Sequence, residues 1–188
     1  MFKLRIHGRA GQGAKTIAQL LAETSLKTGK FVQAFPTYGP ARTGAPMNAF
    51  VRLSDQPINI YSEIREPDVV LVIDPLLIDM ENVGAGLKKN GLIIINSVHS
   101  SEVLKKKLIK KGLHSQVRVI ALPASKISLE VFKKDIPNTV LLGALIKATG
   151  IVKLNDLIET VKEKFSKKFS LELINANIQV IKEGYEQV

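Results

Sequence analysis

The chain has 188 residues, 45% of them hydrophobic, with a formal net charge of +10 and no cysteine. That length and apolar share suit one globular domain over residues 1–188, and the missing cysteine excludes disulfides, iron–sulfur ligation and thiol catalysis within it. His7, His99 and His114 lie far apart without metal-ligand spacing, no apolar run can span a bilayer, and the N-terminus lacks a signal-peptide core, so a cytoplasmic location is expected.

Phe2, Leu4 and Ile6 alternate with Lys3, Arg5 and His7, a period of two that predicts a first strand. Residues 6–16 read Ile-His-Gly-Arg-Ala-Gly-Gln-Gly-Ala-Lys-Thr, and Ile17, Leu20, Leu21 and Ala22 then recur at helical spacing. A glycine loop between a strand and a helix N-terminus suits an anion. Gly8, Gly11 and Gly13 permit positive φ and close approach, and the helix end offers free amide donors with about half a positive charge. Arg9 and Lys15 add mobile cations, Gln12 lies among them, and Thr16 adds a hydroxyl.

The loop departs from two nucleotide motifs. In a Walker A loop the lysine follows the second glycine directly; here Ala14 intervenes and turns Lys15 about 100° around the helix. The pattern G-x-G-x-x-G has Thr16 in place of its third glycine, and no acidic residue ends the next strand. Phosphate binding survives these departures, while ATPase and dehydrogenase chemistry weaken. A tight turn that binds nothing draws on the same glycines.

Gly29 closes the helix, and residues 31–35 predict a second strand before a Pro-, Gly- and Thr-rich stretch over 36–46. Residues 47–53 and 58–61 read as a hairpin around 54–57. Residues 69–73 form a continuous apolar strand into Asp74-Pro75, and 92–96 and 117–121 repeat that pattern around a helix over 102–110. Helices follow over 138–149, 155–165 and 171–186, the last with Ile174, Ile178, Ile181 and Tyr185 on one stripe. This order predicts a three-layer α/β/α sandwich with a mostly parallel, mixed central sheet and a helical C-terminal part.

Ligands in such sheets sit beyond the carboxyl ends of the strands. The loop over 38–44, with Tyr38, Arg42, Thr43 and Gly44, is therefore expected to meet the same ligand as Lys15, and two basic loops suit a ligand with several phosphates. Asn138 and Thr139 read either as helix-cap residues or as residues that face a partner subunit or the ligand, Asp74 as a lone carboxylate after a strand, and Asp79 as a helix-surface residue. No Ser/His/Asp order forms a recognisable catalytic elbow, so no catalytic residue is assigned.

Charge is uneven: residues 1–100 carry 11 basic and 8 acidic groups, and residues 101–188 carry 16 and 9. Lysine runs such as Lys105-Lys106-Lys107 can attract nucleic acid, an anionic cofactor or an acidic protein, but no aromatics interleave with them, which favours a solvated face.

Several strings occur in fixed order: His7 to Lys15; Gln33-Ala34-Phe35-Pro36-Thr37-Tyr38-Gly39 with Arg42-Thr43-Gly44-Ala45-Pro46; Glu66-Pro67-Asp68-Val69-Val70; and Ile136-Pro137-Asn138-Thr139 with Leu142-Gly143-Ala144-Leu145. Together they resemble gamma subunits of the 2-oxoacid:ferredoxin oxidoreductase family, from residue 2 to Gly184-Tyr185-Glu186, and Arg-Thr-Gly-Ala-Pro and Ile-Pro-Asn-Thr tilt toward the pyruvate members, with 2-oxoglutarate or branched-chain 2-oxoacid members as the alternative. The resemblance implies a subunit that binds coenzyme A and is inactive alone. It also implies alpha, beta and delta partner subunits that carry thiamine diphosphate and four-iron–four-sulfur clusters and pass electrons to ferredoxin. It places no nucleic acid or membrane among the partners. Self-association of the isolated chain is expected, since surfaces meant for partners are often apolar. The family's loops fall on residues 8–15 and on Arg42, Thr43 and Gly44, with Arg42 where single-chain relatives have lysine. A stand-alone nucleotide-binding enzyme and a basic nucleic-acid-binding module are the other classes.

Overall fold

The computed structural model describes residues 1–38 and 44–188. Strands β1 (Phe2–Arg9), β2 (Phe31–Tyr38), β3 (Pro46–Ser54), β4 (Val69–Val72), β5 (Leu92–Asn96) and β6 (Arg118–Leu122) share one sheet in the order β2-β3-β1-β4-β5-β6. β3 runs antiparallel to β1 and β2, whereas β1, β4, β5 and β6 are parallel. Every strand except β3 thus directs its carboxyl end to one edge.

From β1 the chain passes through α1 (Ala14–Lys27) to β2 at one margin of the sheet. From β4 it passes through α2 (Leu77–Met80) to β5 and through α3 (Ser101–Lys110) to β6 at the other margin. The two directions diverge between β1 and β4, which is where an open α/β sheet leaves a crevice. Right-handed crossovers in opposite directions must cover opposite faces. Accordingly, Ile17, Leu20 and Leu21 of α1 pack with Leu4, Ile6 and Leu71 on one face, and Leu104 and Leu108 of α3 pack with Val70, Val72, Ile93 and Ile95 on the other.

Helices α4 (Ala124–Phe132), α5 (Asn138–Thr149), α6 (Leu154–Ser166) and α7 (Leu171–Glu186) join the α1 face, completing the expected three-layer sandwich with its helical C-terminal part. α5 is buried on all sides from Asn138 to Ile146 and is the centre of that layer. Among the described residues, no helix is long and apolar enough to cross a membrane.

The hairpin expected between 47–53 and 58–61 is not formed. β3 pairs with β1 along one edge and β2 along the other, so no edge remains for residues 58–61, and Tyr61 is 83% exposed. The hairpin partner is β2, which runs on to Tyr38. α4 was not anticipated; Pro123 precedes it without a side-chain cap, and its buried positions Ala124, Ile127 and Ser128 include only one large apolar residue.

α5 and α7 cross at two glycines. A Cβ on Gly143 would overlap the Ile181 carbonyl oxygen, and one on Gly184 would overlap the Val140 carbonyl oxygen. Backbones this close fix how α5 sits, and α5 in turn presents its N-terminus to the glycine loop.

On the sheet face opposite α1, the polar residues of β1 are buried rather than solvated, Arg5 at 8% and His7 at 4% exposure. Arg5 donates from Nη2 to the Val83 and Ala85 carbonyls at 3.0 and 2.6 Å and from Nε to His7 Nε2 at 3.0 Å. Arginine cannot accept, so His7 Nε2 is the acceptor and Nδ1 carries the proton, which it donates to Glu81 Oε2 at 3.2 Å. This chain of bonds ties residues 81–85, which follow α2, to the underside of β1.

Two outcomes follow from these contacts. Gly143→Ala gains the roughly 1 kcal/mol of helix propensity that separates alanine from glycine. Backbone overlap outweighs it, so urea unfolding should show a net loss of about 2 kcal/mol or more; a gain would contradict the crossing. Burial holds the His7 pKa below its ordinary value of 6.5, against the Glu81 hydrogen bond, which raises it. The unfolded chain then takes up the proton first as pH falls, so stability is complete above pH 6.5 and declines below it. Glu81, held below its ordinary 4.5 first by the His7 hydrogen bond, adds a second loss in more acid solution. Urea titrations at several pH values should show the first decline, and His7→Gln should abolish it; an unchanged decline in the variant would contradict the assignment.

Candidate functional site: an anion-binding crevice between β1 and β4

β1 ends in a glycine turn that leads into α1. Gln12 N–H donates to the Arg9 carbonyl at 3.0 Å and Arg9 N–H donates to Gln12 Oε1 at 2.8 Å, closing the turn from both sides. Gly11 and Gly13 have φ of +101° and +85°, which side chains rarely adopt. Gly13 is the N-cap of α1, with no capping side chain and no acidic residue in the first turn. The N–H groups of Ala14, Lys15 and Thr16 precede the first intrahelical bond, from Ile17 N to Gly13 O, and are the orphan donors of the helix end. Lys15 is exposed beside them, and Thr16 is half-buried. The expected cradle of donors at the carboxyl edge is therefore in place.

Arg9 does not have the expected mobility. Its Nε donates to Asp74 Oδ2 at 2.6 Å, its Nη1 donates to the Gly44 carbonyl at 3.1 Å, and its Nη2 meets Met80 Sδ at 3.2 Å. Asp74, just beyond β4 and only 7% exposed, also accepts from Gln12 Nε2 at 3.2 Å and from Leu76 N–H at 2.9 Å. It is the organising carboxylate of the crevice rather than a lone one, joining the ends of β1 and β4. With Arg9 neutralised by Asp74, Lys15 supplies the exposed charge of the first loop.

The second loop reaches the first at Gly44, whose N–H donates to the Ala10 carbonyl at 3.3 Å; Ala10 N–H donates to the Ala45 carbonyl at 3.0 Å. Tyr38 ends β2 on the same edge, opposite Met47. Arg42 and Thr43 lie outside the described residues. Gly8 sits within β1 against Ile73. The structure thus brings Gly8, Arg9, Gly11, Gln12, Gly13, Lys15, Thr16 and Gly44 to one edge.

Asn138 and Thr139 do not cap α5. Pro137 occupies the N-cap position without a side-chain bond, and both residues already belong to the helix. Asn138 lies against Gly13 so closely that a Cβ there would overlap its Nδ2, and Thr139 Oγ1 contacts Asn177 Oδ1 at 3.4 Å. Gly13 is thereby required twice, by its φ and by Asn138. Beside Gln12 and Asp74 the crevice opens into a cavity of about 510 Å³, lined also by Asn96, Ser97, His99 and Pro137. No cluster of three or more metal-ligating side chains occurs among the described residues.

The contacts of two residues of this site were not legible from local sequence. Asp74 carried a signal, because it follows an apolar parallel strand at the edge where ligands bind. The contact of Asn138 with Gly13 joins positions 125 apart in sequence and had none.

Similarity to known proteins agrees with this geometry. The family model described as pyruvate ferredoxin/flavodoxin oxidoreductase matches residues 3–187. Pyruvate synthase subunit PorC of Thermotoga maritima is 46% identical over 187 residues, covering 100% of this chain and 94% of that protein. The common subunit gamma of the pyruvate/ketoisovalerate oxidoreductases of Thermococcus litoralis is also 46% identical, covering 100% and 97%. The crystal structure of pyruvate oxidoreductase subunit PORC from Thermotoga maritima superposes with a TM-score of 0.85 at 42% identity, covering 98% of this chain and 95% of that one. With the match running almost end to end, the chain belongs to the pyruvate ferredoxin/flavodoxin oxidoreductase family.

Proposed function

We propose that this chain is the gamma subunit of a multisubunit pyruvate:ferredoxin oxidoreductase and contributes the loops that hold coenzyme A. The observation that carries the reading is the uncapped N-terminus of α1 at the β1/β4 crevice, with Lys15 exposed beside it. Coenzyme A presents a diphosphate and a 3′-phosphate, and such a site supplies what they need: N–H donors without a competing carboxylate, glycine at the closest approach, and a cation. The first contact region is the turn at Gly11, Gln12 and Gly13 together with Lys15 and Thr16 at the α1 N-terminus, with Gly8 behind it in β1 and Arg9 bracing it. Tyr38, Arg42, Thr43 and Gly44 form the second.

In the assembled enzyme, pyruvate, coenzyme A and oxidised ferredoxin give acetyl-CoA, carbon dioxide and reduced ferredoxin. Thiamine diphosphate and iron–sulfur clusters belong to the alpha, beta and delta subunits, in keeping with a chain that has no cysteine. This subunit binds and orients the acyl acceptor and performs no bond-making step, and the complex works in the cytoplasm. The relatives named as common to pyruvate and ketoisovalerate oxidoreductases favour a second reading, in which one gamma subunit also serves an enzyme for a branched-chain 2-oxoacid.

Lys15→Ala in the reconstituted complex should raise the KM for coenzyme A about tenfold, the loss of roughly 1.4 kcal/mol from one charge-assisted contact. The KM for pyruvate should not move, and an unchanged KM for coenzyme A would count against the loop. Tagged protein from its own host should emerge with larger subunits that carry thiamine diphosphate and iron–sulfur clusters; recovery of the chain alone would contradict the subunit reading.

A further inference from the structure

β2 lies at one margin of the sheet, and bonds two strands away decide which of its backbone groups face out. The Lys3 and His7 carbonyls accept from Asp68 and Ile73 N–H on the β4 side of β1, so Leu4, Ile6 and Gly8 turn to β3. Their partners Val51, Ala49 and Met47 are thereby used, and Arg52, Phe50 and Asn48 turn to Gln33, Phe35 and Thr37 of β2. Val32, Ala34 and Pro36 therefore direct their backbone groups outward. Among the described residues nothing bonds these groups, and a proline fits there because the ladder to β3 loses no donor.

The other margin is blunted. β6 opens on the exposed Arg118, and its outward Ala121 N–H donates to Ser101 Oγ at 2.9 Å. β2 has neither device: its eight residues carry no charge, in a chain of net charge +10, and Ala34 at its middle is exposed. A long, uncharged, open edge is a template for another strand, and soluble proteins guard such edges when they are not used.

We propose that two copies of this chain pair through β2, antiparallel about a two-fold axis at Ala34, so that their two six-stranded sheets become one. The outward groups are self-complementary about that axis. Ala34 N–H donates to the Ala34 carbonyl of the second copy and Val32 N–H donates to its Pro36 carbonyl, each twice by symmetry. Pro36 forgoes only the return bond to Val32. Phe31, 46% exposed on one chain, comes opposite Thr37 of the second copy, which removes apolar surface from water. Charge selects the occupant: Lys30, the cation that flanks the strand, is already held by Asp55, so self-pairing opposes no free like charges. The two-fold contact also closes the assembly, because β6 offers no comparable edge for further growth. It uses neither Lys15 nor the α1 N-terminus and does not rest on the coenzyme A reading.

The test is sedimentation equilibrium of the purified full-length chain. A reversible dimer is expected, tightening as salt screens the net positive charge. Ala34→Lys sets like charges opposite each other, and Ala34→Pro deletes the outward donor while sparing every bond to β3. Each should weaken the dimer about tenfold or more, with far-UV circular dichroism unchanged. Because the native chain lacks cysteine, Ala34→Cys supplies a second readout: mild oxidation should link two copies, whereas Lys106→Cys on the exposed face of α3 should stay single. A monomer at every concentration, or a dimer that ignores the Ala34 variants and does not cross-link, would overturn the proposal. So would loss of the larger subunits from the assembled enzyme on Ala34→Lys while the free wild-type chain stays monomeric, which assigns the edge to another subunit.

Discussion

The ion pair between Arg9 and Asp74 joins the carboxyl ends of β1 and β4 at the point where the chain's crossovers part to opposite sides of the sheet. A buried carboxylate is tolerated only when its oxygens are satisfied, and Asp74 accepts from Arg9, Gln12 and the Leu76 N–H. Removing Arg9 would strand the buried Asp74 charge with only the Gln12 and Leu76 donors. The same pair sets the shape of the glycine turn, because Gln12 bonds both Asp74 and the Arg9 backbone. It also sets the electrostatics: with Arg9 held by a carboxylate, attraction for an anion rests on the α1 N-terminus and Lys15.

A second line of constraint reaches the loop from the helical layer. Gly143 and Gly184 let α5 and α7 pack backbone to backbone, which fixes α5. The first residue of α5, Asn138, then presses on Gly13, whose positive φ already excludes most side chains. The loop is thus held between the sheet, through Asp74, and the helices, through Asn138. Donors at an anion site are worth most when they need no reorganisation on binding, and this double bracing supplies that condition.

Local patterns made much of this legible in the sequence. The alternation at Phe2, Leu4 and Ile6, the apolar runs of β4 and β5, and the stripe of α7 are each set by neighbours along the chain, and each element formed where expected. Features that depend on distant partners were not legible. Residues 58–61 look like a strand, yet the sheet offers them no edge once β2 has paired with β3. Arg9 looks like a free cation until Asp74, 65 residues away, takes it. The alternation leaves open whether His7 is at the surface or in the core, and it is residues 81–85, far along the chain, that fold over it and bury it. The lone carboxylate and the apparent cap residues acquired their roles only through three-dimensional contact.

The central claim is that the N-terminus of α1 receives a phosphate of coenzyme A. A structure of the assembled enzyme with coenzyme A bound tests it most directly. The account predicts phosphate oxygens within hydrogen-bonding distance of the backbone N–H groups of Ala14 to Thr16, with Arg9 still paired to Asp74. Coenzyme A fully bound on other surfaces, with no phosphate at this helix end, would contradict it.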